Sequence, residues 1–387
     1  MSLRLIFICI FFTPFGIYSQ KEVKTLGVLP EVISETSGLI FYKSKLISHN
    51  DSGNNARLFE IDTLSLEITR TVTVMNADNM DWEDITQDDA YIYIGDFGNN
   101  NGNRRDLVIY RIAKSDYDQF DEVLADRIDF SYEDQSSFVE NSNSDWDAEA
   151  LFNFGNTLVV LTKQWGSNGT VAYVVPKLPG DYRAKKLDRY QVNGLITGST
   201  YNSTVKLLYL TGYSSTLTPF IVRVEGASEN AIFGGKIEKS NLSINLAQLE
   251  GICHVAGDTY FLSSELFKRD NLSISLEAGL FSFESGDEKE EDSEEPPMVD
   301  PKTLPEDKKE KLIVYQAFGS NTVNYKLTTQ SSIFGQAIFD SAGKRVHYML
   351  GAELEGNALD VSTLKPSIYY LAFYLSDKIM FTPFIKY

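Results

Sequence analysis

Carboxylates recur in this chain at a fixed place in a repeated phrase. The phrase reads Glu35-Thr36-Ser37-Gly38-Leu39, Asp81-Trp82-Glu83-Asp84-Ile85, Asp147-Ala148-Glu149-Ala150-Leu151, Leu195-Ile196-Thr197-Gly198-Ser199 and Gln248-Leu249-Glu250-Gly251-Ile252. Its pattern is an acid, any residue, Glu or a hydroxyl, a mostly small residue and a mostly aliphatic one. Such side chains suit a hard divalent cation, since Ca2+ takes about six to eight oxygen ligands from carboxylates, amides and backbone carbonyls. Zinc fits poorly, because three scattered histidines (His49, His254, His347) and Cys253 make no ligand set. Two acids at a defined separation also hydrolyse glycosidic bonds when one has a raised pKa. The alternative is structural: each carboxylate accepts backbone N–H groups and locks neighbouring elements together.

The elements that must position these acids are strands. A repeat of about fifty residues with several strands in each unit predicts a β-propeller. Alternating or continuous apolar runs predict four strands in each of four repeats and three in the fifth. The apolar stretch Val23–Leu29 precedes the first phrase and is expected to supply the missing outer strand, closing the ring. The expected fold is therefore all-β: a five-bladed propeller over residues 20–285. Six blades would require a repeat hidden in Ser115–Asn143.

In a propeller the innermost strand of each blade runs along the central channel, so the phrases gather at one mouth. The second strand returns to the same mouth, ending in His49-Asn50-Asp51, Gly95-Asp96-Phe97, Thr162-Lys163-Gln164, Thr211-Gly212-Tyr213 and Ser263-Ser264-Glu265. The expected cation ligands are Glu35, Asp81, Glu83, Asp147, Glu149 and Glu250. Asp51, Asp96, Lys163 and Glu265 are expected to contact a ligand. If the mouth is catalytic, Glu83, Glu149 and Glu250 are the candidates. A second motif, Asp-x-Gly-Asn-Asn, stands at Asp51–Asn55 and Asp96–Asn100, where Gly and Asn suit a tight turn and the side-chain oxygens suit a cation. Trp82 and Trp146 are expected to pack between blades.

Composition bounds the partners. A net charge of −19 excludes the basic footprint that a nucleic-acid partner needs. Residues 1–19 have the form of a secretory signal peptide, with Arg4, the apolar run Leu5–Phe12 and Ser19 before the cut. That run is too short to span a membrane as a helix, so no transmembrane segment is expected in the mature chain. Cys9 leaves with the signal, and Cys253 is expected to be a buried small hydrophobe. Residues 286–311, rich in Asp and Glu with Pro296-Pro297, read as a solvated linker. Residues 312–387 carry seven short strand signals with a turn at Ser341–Lys344, which predicts a small Ig-like sandwich.

Two resemblances follow from these residues. Ile338–Val346, Asn357–Leu364, Ile368–Leu371 and Phe384–Lys386 resemble the C-terminal sorting domain of type IX secretion substrates, with Ser367 where that family usually has Gly. The resemblance implies passage across the outer membrane of a Bacteroidota-type bacterium, with the type IX machinery as partner, then release or surface attachment. The phrases at Glu35, Asp147 and Leu249 resemble blade starts in phytase-like (and NHL-like) extracytoplasmic propellers. That group implies a calcium-lined mouth able to bind phosphate esters, although the basic residues that would hold phosphate are few here: Lys163, Arg104 and Arg105. No Gly-x-Ser-x-Gly elbow, phosphate-binding glycine loop or metalloprotease helix occurs. The expected function is a secreted or cell-surface module that binds a small-molecule, glycan or protein ligand at a Ca2+-holding mouth. The alternative is a metal-assisted phosphoesterase or glycosidase at the same mouth.

Overall fold

The structure is a computed structural model. It describes residues 20–269 and 274–287, and residues 311–386 apart from 317–319, 330, 332, 341–344, 351–353, 355 and 376–378. The signal-peptide reading, most of the linker and the Ser341–Lys344 turn lie outside the described residues.

Two short strands, β1 (Gln20–Lys21) and β2 (Lys24–Val28), open the fold. The first sheet follows as β3 (Thr36–Tyr42), β4 (Lys45–Asn50), β5 (Arg57–Asp62) and β6 (Ile68–Val74). The second comprises β7 (Trp82–Gln87), β8 (Tyr91–Asp96), β9 (Val108–Ala113) and, after β10 (Glu122–Val123), β11 (Asp126–Tyr132). The third is β12 (Asp147–Phe154), β13 (Thr157–Lys163), β14 (Thr170–Pro176) and β15 (Gly180–Tyr190), and the fourth β16 (Leu195–Asn202), β17 (Leu207–Tyr213), β18 (Pro219–Glu225) and β19 (Ile237–Leu242). The fifth begins with β20 (Leu249–Ala256) and β21 (Thr259–Ser264), is interrupted by the hairpin β22 (Phe267–Arg269) and β23 (Ile274–Leu276), and resumes at β24 (Gly279–Glu284).

The first strands of these sheets touch in a closed circuit, β3 to β7 to β12 to β16 to β20 and back to β3. A separate apolar core fills each gap between neighbouring sheets. Trp82 and Ile94 pack with Ile47 between the first and second, and Leu208 packs with Phe152 and Leu161 between the third and fourth. Leu280 and Cys253 pack with Leu39 and Leu46 where the fifth meets the first. A circuit of inner strands with a core in every gap is a β-propeller. The closing strand is β2, which pairs antiparallel with β24 from Lys24↔Ser282 to Val28↔Gly279.

The outer edges are laced together. β1 adds in parallel to β19, β10 crosses back in parallel to β6, and β11 and β15 pair in parallel, joining the second and third sheets. The segment 115–143 is spent on this lacing, through the end of a one-turn helix α1 (Lys114–Tyr117), β10 and β11. It contains no further four-stranded sheet. Asp287 is held 2.8 Å from Arg223 and accepts the Tyr209 hydroxyl.

Toward the C-terminus, β25 (Lys311–Tyr315), β26 (Thr322–Thr328) and β29 (Ala358–Asp360) form one sheet. β27 (Ile333–Asp340), β28 (Arg345–Leu350), β30 (Ser367–Leu375) and β31 (Ile379–Lys386) form another. Leu312, Val323 and Tyr325 of the first share a core with Ile338, Leu371, Phe373 and Phe384 of the second. Among the described residues, no helix is long and apolar enough to cross a membrane.

Candidate functional site

The phrase acquires its geometry from a register shift. In four of the sheets the pairing of first and second strands skips one residue: Glu83, Glu149, Thr197 and Glu250 each fall between two paired neighbours. In the first sheet the shift falls after Ser37. A bulge re-aims the side chain it carries, so the third residue of the phrase is turned out of the ladder. The fourth residue is small because neighbouring inner strands approach there. A Cβ on Gly198 would lie 2.7 Å from the Glu250 carbonyl oxygen, and one on Gly38, whose φ is +71°, would lie 2.8 Å from Asp84 Oδ1.

The third-position side chains then divide by chemistry. Ser37 Oγ donates to the Glu83 carbonyl at 2.6 Å, and Thr197 Oγ1 donates to the Leu249 carbonyl. The hydroxyls thus stitch one inner strand to the next. The glutamates at the same position do not. No hydrogen-bond donor among the described residues reaches the carboxylate of Glu83, which is 3% exposed, and Glu250 Oε2 is buried without a partner. Asp84, the neighbour of Glu83, is the opposite case: it accepts Ile85 N at 2.8 Å and Leu151 N, in the next sheet, at 2.7 Å. Asp84 thus takes the structural role considered for the acidic set, and Asp147 and Asp96 share it by accepting the backbone N–H groups of Asn99 and Asp81.

Two groups of carboxylates form, and Glu83 belongs to both. One oxygen each from Asp51, Asp81 and Glu83 lie within 4.8 Å of one another, as do oxygens of Glu83, Asp147 and Glu149. The second group is already provided with donors. Lys163 Nζ lies 2.7 Å from Glu149 Oε1, while Asp147 accepts Asn99 N at 2.6 Å and Trp165 Nε1 at 2.8 Å. Lys163 is buried beneath two aromatic rings, 4.8 Å from the Trp165 centroid and 5.6 Å from that of Tyr213. In the first group Asp51 accepts Ser52 N, and Gly98 packs directly behind the other two carboxylates.

Burial and mutual repulsion push these acids toward the protonated form. Burial, then the Asp51 and Asp147 charges, raises Asp81 to about 7. Burial, then Asp51, raises Glu265 to about 7. Glu83 and Glu250 are held well above the carboxylate range by burial and by neighbouring acids, and Glu149 by burial although Lys163 opposes it. For Lys163 burial lowers the pKa, but Glu149, Tyr213 and Glu250 outweigh it and keep the ammonium protonated.

Other expected residues sit apart. Glu35 is exposed, lies outside both groups and accepts Asn54 Nδ2 at 2.6 Å. Glu250 also lies outside both groups, with Lys163, Glu265 and Glu149 as its charged neighbours. Asp96 turns toward Arg104, whose Nη2 lies 2.9 Å away, and accepts the backbone N–H of Asp81, so it orients the mouth from behind. The asparagine oxygens of the second motif are not all free for a cation, because Asn99 Oδ1 accepts Arg104 N. His49 packs edge-on to Trp82 with ring centroids 5.5 Å apart, and burial lowers its pKa to about 4. Trp165 and Tyr213 are site residues that the acid-based motifs do not mark, because neither is an acid or an amide. The detectable signal is position: Tyr213 ends β17 and Trp165 lies two residues past the end of β13.

No protein-family model matches this chain, and no curated protein does. Among solved structures it is similar to the PQQ-bound form of an aldose sugar dehydrogenase from Streptomyces coelicolor, at 10% identity and a TM-score of 0.41, over 67% of this chain and 97% of that one. It is also similar to the hydrazine synthase of Kuenenia stuttgartiensis, at 12% identity and a TM-score of 0.35, over 67% of this chain and 65% of that one. A third likeness is to a chain of the mitotic checkpoint complex, at 11% identity and a TM-score of 0.30, over 64% and 63%.

Proposed function

We propose that this chain is a secreted or cell-surface five-bladed propeller whose acidic mouth binds Ca2+ and presents it as part of a ligand-binding module. In this reading the C-terminal sheets are the Ig-like sorting domain of a type IX secretion substrate. The observation that carries the cation is the pair of carboxylate groups meeting at Glu83. Acids this deeply buried raise one another's pKa, and a divalent ion replaces protons as their neutralising charge. The donor set is carboxylate oxygen, which suits Ca2+ and excludes a thiolate or imidazole metal site at this place.

The test is the melting temperature of the full chain in millimolar Ca2+ and again in chelator. Binding to the folded state adds RT ln(1 + [L]/Kd), about 2.7 kcal/mol at a hundredfold excess over Kd. The expected result is a rise with Ca2+ that Glu83→Gln abolishes. In chelator, the same variant is at least as stable as the parent, because Gln is neutral at every pH whereas the buried Glu83 must take up a proton to fold. No shift with Ca2+ would remove the cation from the reading.

A further inference from the structure

The two carboxylate groups differ in what already faces them, and this bears on how many cations the mouth takes. Resting on the cation reading above, we infer that the mouth binds a single divalent ion at Asp51, Asp81 and Glu83, cradled by Gly98, and that Lys163 is a built-in cation filling the second place against Asp147 and Glu149.

Three observations support this division. First, Lys163 Nζ is 2.7 Å from Glu149 Oε1, and both side chains are 6% exposed. A buried ammonium in that position presents its charge where a second metal ion would have to sit. The Trp165 and Tyr213 rings hold it there, at 4.8 and 5.6 Å, by contacts that favour a cation. Second, both oxygens of Asp147 already accept a hydrogen bond, from Asn99 N and Trp165 Nε1. These donors leave each oxygen a lone pair, so what bars an ion from the Asp147–Glu149 side is the charge of Lys163.

Third, the Asp51–Asp81–Glu83 side has space made for it. A Cβ on Gly98 would lie 2.0 Å from Glu83 Oε1 and 2.4 Å from Asp81 Oδ2. Even one methyl group would drive these carboxylates out of place. Glu83, buried and reached by no donor among the described residues, points into this same group. Charge balance agrees with the geometry. One divalent ion and one ammonium spread positive charge across both groups, whereas two divalent ions beside Lys163 would place three cations around a shared Glu83.

The experiment is calorimetric titration of the full chain, stripped of metal, with CaCl2, checked by Trp-sensitised Tb3+ luminescence. The parent is expected to bind one ion. Lys163→Met is expected to bind two, and Lys163→Gln serves the same purpose if the methionine variant does not fold. Gly98→Ala removes no charge and is expected to weaken the single site at least tenfold. Two ions in the parent, or one ion in both the parent and the Lys163 variants, would overturn the role of Lys163 while leaving the cation mouth standing. Unchanged affinity in Gly98→Ala would overturn the placement of the ion. No ion in the parent or in any variant would overturn both readings together.

Discussion

The same inner strands end in charge at one mouth of the channel and in neutral amides and hydroxyls at the other. At the far end, Thr86, Gln87, Asn153, Thr200, Tyr201 and His254 line a cavity of about 280 Å3. There the donors bind strand to strand, while Gln87 Oε1 and Asn153 Oδ1 stay buried without a partner among the described residues: Gln87 Nε2 donates to Phe41 O at 2.8 Å, Asn153 Nδ2 to Gln87 O at 3.0 Å, and Asn153 N to Thr86 Oγ1 at 3.2 Å. At the acidic mouth the hydroxyl copies of the phrase, Asp84 and Asp147 do this work. Glu83 and Glu250 are buried at comparable depth without it. Burying a charge is costly unless it is paired and hydrogen-bonded, and these carboxylates are accordingly held well above their ordinary range, which is what the proposed cation would relieve. Perturbed acids gathered in a concave place are the usual signature of function.

The sharpest way to break this comparison is to exchange the roles of two neighbours. Asp84→Ala leaves the N–H groups of Ile85 and Leu151 buried without their acceptor, and one of those contacts joins two sheets. The expected loss is about 3 kcal/mol, because an unsatisfied buried donor costs more than an average hydrogen bond contributes. A urea unfolding curve measures it, and the loss is the same with or without Ca2+. A loss that Ca2+ removes would mean that Asp84 belongs with the glutamates after all.

The second effect is in pH. Asp81 and Glu265, both raised to about 7, favour the fold in their protonated form. Their contribution is fully present below the unfolded carboxylate range and is lost as pH rises through 7. His49 works in the other direction below its unfolded value of 6.5, since the fold holds it neutral. The window from about 6.5 to 8 therefore isolates the mouth. In chelator, stability falls across it by on the order of 1 kcal/mol per pH unit. Ca2+ flattens the slope, because the ion displaces the protons. A chelated protein whose stability is level from pH 6.5 to 8 would show that the mouth acids are already ionised.

Much of this arrangement was legible in the sequence. The phrase gave the inner strands, its period gave the sheets, and the leftover Val23–Leu29 segment gave the closing strand, because a hydrophobic repeat that ends one strand short has few other places to find it. What sequence could not separate was Glu83 from Asp84. Both are acids in one phrase, and only the register shift at Trp82/Asp84 turns one toward the other carboxylates and leaves the other on the backbone. Bulges follow from how two strands pair, which the residues of one strand do not record. The same limit hid the partners of Lys163: its strand-end position brings it to the mouth, but does not record that it meets Glu149, Trp165 and Tyr213 there. Treating Glu, Ser and Thr as equivalents at the third position also merged two arrangements: Ser37 and Thr197 donate to the next inner strand, whereas Glu83 and Glu250 lie among other acids.

The smallest effect belongs to the neutral end and calibrates the rest. Gln87→Ala removes the donor to Phe41 O, a contact between the second and first sheets, and opens a little more room beside Asn153. The amide is partly buried at the edge of a cavity, where water can replace the lost donor. The expected cost is therefore about 1 kcal/mol, that of an ordinary neutral hydrogen bond. It should not depend on Ca2+ or on pH between 6.5 and 8, since no charge is involved. The variant thus reports what strand-to-strand stitching is worth when nothing else is asked of the residue. If its stability did respond to Ca2+, the two ends of the channel would be coupled through the inner strands, and the division between a stitched end and a binding end would have to give way to a single channel that responds as a whole.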